Sequence, residues 1–140
     1  MQRRILIDTG VLVAILDKSD NFHRWATQTV ANLPCPFLTC EPVITEACFL
    51  LKNVYGGEDA VMGLVSSGNI QIDFSLNEEI NTIRELMKRY QNVPMSLADG
   101  CLVRMSELIP GSYILTIDSD FRIYRKNKNE MIDLIIADGI

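Results

Sequence analysis

The stretch Arg3–Asp20, RRILIDTGVLVAILDKSD, opens with a short apolar strand, Ile5–Asp8, that stops on an acid. Thr9 and Gly10 follow, and then a second apolar run that reads as a helix through Leu16. A buried strand ending in a carboxylate needs a reason, because burying a charge without a partner is costly. Either Asp8 caps the helix that follows, or it faces something positive.

Outward from this stretch, short apolar runs alternate with helix-period segments. The predicted strands are Ile5–Asp8, Phe37–Thr39, Ile70–Asp73, Tyr113–Thr116 and Ile132–Ile136. They are short, rich in Ile and separated by helices, a pattern that predicts a parallel sheet of about five strands with helices on both faces. The helical segments carry start and stop signals. Asp20 can cap residues 21–33, which stop at Pro34. Pro42 fits the first turn of residues 42–55, ended by Gly56 and Gly57. Residues 58–67 stop at Gly68. Asn77 can cap residues 78–90, and Ser96 starts residues 96–108, closed by Pro110 and Gly111. There are no internal repeats or low-complexity linkers, so residues 1–140 are expected to form one domain.

The 140 residues are 48% hydrophobic, which suits a folded chain with a real core and not a disordered one. No stretch is long and apolar enough to span a bilayer. Arg3 and Arg4 lead into a strand and not into a secretory signal, so a cytoplasmic location is expected. Cys35, Cys40, Cys48 and Cys101 lack the paired spacing of a zinc site, and His23 is the only histidine. The cysteines read as small apolar fillers. The net charge of −5 speaks, by itself, against nucleic acid as a partner.

Four acids stand out by position. Asp8 ends the first strand, Glu46 lies in the first half of the helix after the second, Asp99 is in the first turn of the helix before the fourth, and Asp118 lies just beyond the fourth strand. Ligands of open parallel sheets bind beyond the carboxyl ends of the strands, at the switch point. Neighbouring first and fourth strands would bring Asp8 and Asp118 together there. Packed carboxylates raise each other's pKa, and a hard cation relieves that cost. Oxygen-only donors suit Mg²⁺ or Mn²⁺, which can activate water and clamp a phosphoryl oxygen. The residues therefore point to a metal-dependent phosphodiester hydrolase. Each acid also has a structural explanation. Asp8 can cap a helix, Ser96-Leu97-Ala98-Asp99 has the form of a capping box, Asp118 and Asp120 can be turn residues, and Glu46 can be a solvated helix residue.

The segments LIDTGVLVAILDKSDNFHRWA, CEPVITEACFLL, YQNVPMSLADGCLVRMSE and ILTIDSDFRIYRKN resemble, in order and spacing, a PIN (PilT N-terminal) domain, and within it the ribonucleases of the VapC toxin type. The resemblance covers nearly the whole chain. It implies an α/β/α sandwich around a parallel sheet, and an acidic site formed here by Asp8, Glu46, Asp99 and Asp118. It also implies RNA hydrolysis with Mg²⁺ or Mn²⁺, a cognate antitoxin and a homodimer. In that picture Asp8, Asp99 and Asp118 are metal ligands and Glu46 acts through water. Thr9 and Thr116 orient the carboxylates, and Asp120 stands in reserve. Hydrolysis would leave a 5′-phosphate and a 3′-hydroxyl.

With four acids assigned to the site, −5 + 4 leaves −1 for the rest of the chain, and the charge objection weakens. Arg122, Arg125, Lys126 and Lys128 follow the acidic turn and could hold RNA phosphates. Arg104 could pair with an acid or a phosphate, and His23 reads as structural. Gly100 stands where the family commonly has Ala. A helix-interior Gly costs about 1 kcal/mol, so a looser helix beside Asp99 is expected. Two other readings compete. One is a non-catalytic PIN module that binds RNA or a protein, which a missing acid would favour. The other is a haloacid-dehalogenase-like phosphatase, which would want an acid where Gly10 stands.

Overall fold

The computed structural model describes residues 3–140. At its centre stands β1 (Arg4–Ile7), whose Ile5, Leu6 and Ile7 are fully buried. An uninterrupted apolar run is what a parallel strand covered on both faces requires. Around β1 lie β2 (Phe37–Thr39), β3 (Ile70–Ile72), β4 (Ser112–Thr116) and β7 (Leu134–Ile136). All five are parallel, in the order β3-β2-β1-β4-β7. The chain builds outward from β1 to β3, then crosses back to β4. The switch point therefore falls between β1 and β4, whose registers pair Ile7 with Leu115.

The described residues form six helices: α1 (Thr9–Leu16), α2 (His23–Ala31), α3 (Glu41–Leu50), α4 (Gly57–Ser66), α5 (Leu76–Arg89) and α6 (Leu97–Leu108). With the sheet they make the expected α/β/α sandwich. Both α1 and α6 pack on β4. No helix among the described residues is long and apolar enough to cross a membrane.

The element ends differ from expectation where local signals were ambiguous. Asp20 does not cap α2. Its side chain accepts the Phe22 N–H at 2.8 Å in a turn, and the helix begins at His23. Ser75, not Asn77, caps α5 by accepting the Glu78 N–H. Helix α3 ends at Leu50 rather than Tyr55, because a chain of turns follows it into α4. An antiparallel hairpin of β5 (Arg125–Lys126) and β6 (Glu130–Met131) was not expected. Its turn places Asn127 and Lys128 in the left-handed region, at φ 49° and 75°.

Gly100 corrects a sequence-based expectation. A Cβ there would lie 3.3 Å from Ile83 Cγ2 and 3.6 Å from the side chains of Met87 and Met95. The glycine lets α5 approach α6 closely. It is a packing choice, not a loosening. Cys40 and Cys101 are buried fillers and Cys48 is half-buried, but Cys35 is exposed and fills nothing. His23 Nδ1 lies 2.7 Å from the Ala14 carbonyl oxygen and joins α2 to α1.

Candidate active site

The carboxyl edge of β1 and β4 gathers the acids. Asp8 continues the β1 ladder by donating its N–H to the Leu115 carbonyl at 3.1 Å. Its side chain then does two jobs. Oδ1 accepts the Thr9 N–H at 2.8 Å, at the start of α1, and Oδ2 accepts the Thr116 hydroxyl at 2.7 Å. Of the two explanations of the strand-ending acid, the structure shows the first: Asp8 caps α1, and it is also tied across the switch point to the neutral Thr116 hydroxyl on β4. Gly10 permits the close approach, since a Cβ there would meet Ile117 Cγ1 at 3.0 Å.

The two threonines carry a continuous run of hydrogen bonds. Thr9 donates its hydroxyl to Glu46 Oε1 at 2.8 Å, which links α1 to α3. Thr116 Oγ1 donates to Asp8 and accepts the Asp118 N–H at 3.0 Å. Asp118 Oδ1 in turn accepts the Asp120 N–H at 2.9 Å, which starts a 3₁₀ turn over Ser119–Arg122. Asp120 is half-buried, and its charge, with those of Asp99 and Asp118, reaches the Tyr124 hydroxyl. Asp99 stands on α6, in a capping box in which its Oδ2 accepts the Ser96 N–H and its own N–H donates to Ser96 Oγ, both at 3.1 Å. Asp99 Oδ2 also accepts the Tyr124 hydroxyl at 3.4 Å. Sequence reasoning passed over Tyr124. Its signal was there in Phe121 and Tyr124, two aromatics three residues apart directly after the acidic turn.

The acids lie close enough to act on one another's charge. Asp8 is only 6% exposed, and burial pushes its carboxyl up to about 7, with the charges of Asp99 and Asp118 adding to the rise against the Thr116 and Thr9 hydrogen bonds. Asp99, 9% exposed, is pushed up to about 6, by burial first and then by Asp118 and Glu46. Desolvated carboxylates within reach of one another are short of positive charge.

Among the described residues no three His, Cys, Asp or Glu side chains are grouped as a metal site. The oxygens are held by N–H and O–H donors instead. Even so, the donor chemistry fits a hard divalent cation. All donors are oxygen, and the hydrogen bonds among the described residues engage one oxygen each of Glu46, Asp99 and Asp118 and leave the other without a donor. A cleft of about 420 Å³ opens beside Glu46, lined by Glu41, Pro42, Thr45, Phe74, Leu76 and Leu97.

The basic candidates are largely engaged elsewhere. Arg104 pairs with Glu79 at 2.6 Å and Glu107 at 3.1 Å, which removes it from the site. Arg125 donates to the carbonyls of Arg122, Ile123 and Tyr124 and so closes the 3₁₀ turn. Lys126 stands 3.7 Å from Asp133. Arg122 is exposed and donates through Nε to the Ile140 carbonyl at 3.2 Å, and Lys128 is exposed at the hairpin tip.

The sequence model of the PIN domain family matches residues 5–127. Among solved structures, the VapC20 toxin of Mycobacterium tuberculosis, described as cleaving the sarcin-ricin loop, matches with a TM-score of 0.75. The match covers 83% of this chain and 91% of that one at 19% identity, a likeness of fold. No curated protein matches the chain.

Proposed function

This chain belongs to the PIN domain family, and from that premise we propose that it is a metal-dependent endoribonuclease. The observation that carries the reading is the run Glu46–Thr9–Asp8–Thr116–Asp118 along the switch-point edge, with desolvated Asp99 in electrostatic reach. Asp8, Asp99 and Asp118 would hold Mg²⁺ or Mn²⁺, with Glu46 acting through water. Bound there, the ion would lower the pKa of a water and neutralise charge growing on the phosphoryl oxygens. The protein's part is to fix the donors. Thr116 sets the plane of the Asp8 carboxylate, Thr9 holds Glu46, and the capping box holds Asp99. Asp120 holds Asp118 by its backbone N–H. Exposed Arg122 is the candidate for a phosphate contact beside the acidic turn.

The shared fold with a toxin that cleaves RNA supports a further step. The chain would be the toxin of a type II toxin–antitoxin pair, acting on RNA in the cytoplasm, silenced by a small antitoxin and assembled as a homodimer. The first test is cleavage of RNA by purified protein with Mg²⁺ or Mn²⁺, with EDTA, and with Asp8→Asn. Cleavage is expected only with the ion and the intact acid. Cleavage that persists in EDTA in both proteins, with contaminating ribonuclease excluded, overturns the reading.

A further inference from the structure

We propose that Tyr124 is a positioning residue for Asp99. Its hydroxyl, together with the Ser96 N–H, pins one carboxylate oxygen and leaves the other free to bind the divalent ion. The inference rests on the metal-dependent reading above and concerns how one of its ligands is held.

Tyr124 is fully buried, although its hydroxyl is polar. A buried phenol needs a partner for its O–H. The ring stands edge-on to Tyr90, with centroids 5.1 Å apart, and to Phe121 at 5.4 Å. Packed in this way, the ring delivers the hydroxyl to one place. That place lies 3.4 Å from Asp99 Oδ2 and 3.3 Å from the Pro94 carbonyl oxygen. One hydrogen faces two acceptors. An ionised carboxylate is the stronger acceptor, so the hydroxyl donates to Asp99 whenever Asp99 carries charge. Burial and the neighbouring charges of Asp99, Asp120 and Asp118 hold the phenol far from ionising, and it remains a donor.

The consequence falls on Asp99. Its Oδ2 receives two donors, the Ser96 N–H and the Tyr124 hydroxyl, and its Oδ1 receives none from the described residues. A carboxylate held at one oxygen presents the other in a fixed direction. Groups that orient a metal ligand in this way typically contribute 10- to 100-fold to metal affinity or activity. The competing explanation is that Tyr124 only fills the core and its hydroxyl finds a nearby carbonyl. Tyr90 is the internal control for that explanation. It belongs to the same aromatic cluster, but its hydroxyl accepts the Arg125 N–H at 2.9 Å and, among the described residues, has no hydrogen bond to an acid of the site.

The experiment compares wild type, Tyr124→Phe and Tyr90→Phe. Mn²⁺ binding is measured by calorimetry, and the Mn²⁺ concentration for half-maximal RNA cleavage is measured alongside. Melting in EDTA reports folding, and both variants are expected to melt somewhat below wild type. Tyr124→Phe should bind Mn²⁺ about tenfold more weakly, the low end expected for losing one of two supports. Its half-maximal Mn²⁺ concentration should rise in proportion. Tyr90→Phe should keep wild-type affinity. Wild-type affinity in Tyr124→Phe, or equal weakening in both variants, overturns the inference while leaving the nuclease reading in place. A wild-type protein that binds no Mn²⁺ overturns both.

Discussion

Asp8 carries the largest electrostatic load of any residue in the site. Its folded pKa of about 7 exceeds the ordinary value of 3.8 chiefly because it is buried. The folded state then keeps a proton that the unfolded chain has released. Without metal, stability should therefore be full below about pH 4, fall as pH rises toward about 7, and level off above that. Each pKa unit corresponds to about 1.4 kcal/mol, so the loss from Asp8 is at most about 4 kcal/mol. Asp99 adds a loss of the same sign over a narrower range. Melting curves in EDTA between pH 4 and 8 test this, and a melting temperature that rises through that window contradicts it. Asp8→Asn removes the titrating charge and keeps an oxygen for the Thr9 N–H. At pH 7.5 in EDTA it should melt at or above wild type while losing cleavage. Mg²⁺ should then separate the two proteins. At 100 times Kd, binding to the native state alone contributes about 2.7 kcal/mol, several degrees of melting temperature for wild type and little for the variant. Equal shifts in both would mean that Asp8 is only a helix cap.

At the scale of elements, α6 shows how local structure and site share residues. The Ser96 box both starts the helix and holds Asp99. Ser96→Ala removes the acceptor for the Asp99 N–H and should cost about 1 kcal/mol in urea unfolding. Gly100 sits one residue on, under α5. On propensity alone, any residue but proline there would help the helix. The contact with Ile83 reverses the sign for a branched residue: Gly100→Val should destabilise by about 1–3 kcal/mol through overpacking. A gain in stability would show that α5 can move away and that the approach is not tight.

For the whole molecule, the question is what covers α3 and α4. The segments ACFLL and AVMGLV hold more apolar residues than the core takes. Ala47, Leu51 and Val61 are buried, but Phe49 is 63% exposed, Leu50 57% and Met62 48%. Single exposed apolar residues are ordinary, whereas a group on adjacent helices suits an interface. The proposed homodimer would cover this face. Light scattering at micromolar concentration should give a dimer mass for wild type and a monomer mass for Phe49→Glu with Leu50→Glu. A clean wild-type monomer contradicts the assignment.

The sheet and most helices were legible in the sequence because burial on both faces demands uninterrupted Ile-rich strands, and because Ser96, Pro42, Gly68 and Pro110 punctuate helices by backbone chemistry that needs no tertiary context. That Asp8 and Asp118 fall at one sheet edge was legible because β1 and β4 end where a switch point would lie, whereas Glu46 and Asp99 come near them only through the docking of α3 and α6. The linkage of the acids was not legible. The run through Thr9 and Thr116 spans residues 37 and 108 positions apart in sequence, and only the strand order β2-β1-β4 brings them within a hydrogen bond. Tyr124 lay hidden for the same reason, 25 positions from Asp99. The basic residues after the acidic turn looked free because a charge in sequence shows no partner. Asp133 and the turn carbonyls claim Lys126 and Arg125 only once the chain has folded, as Glu79 and Glu107 claim Arg104 on α6.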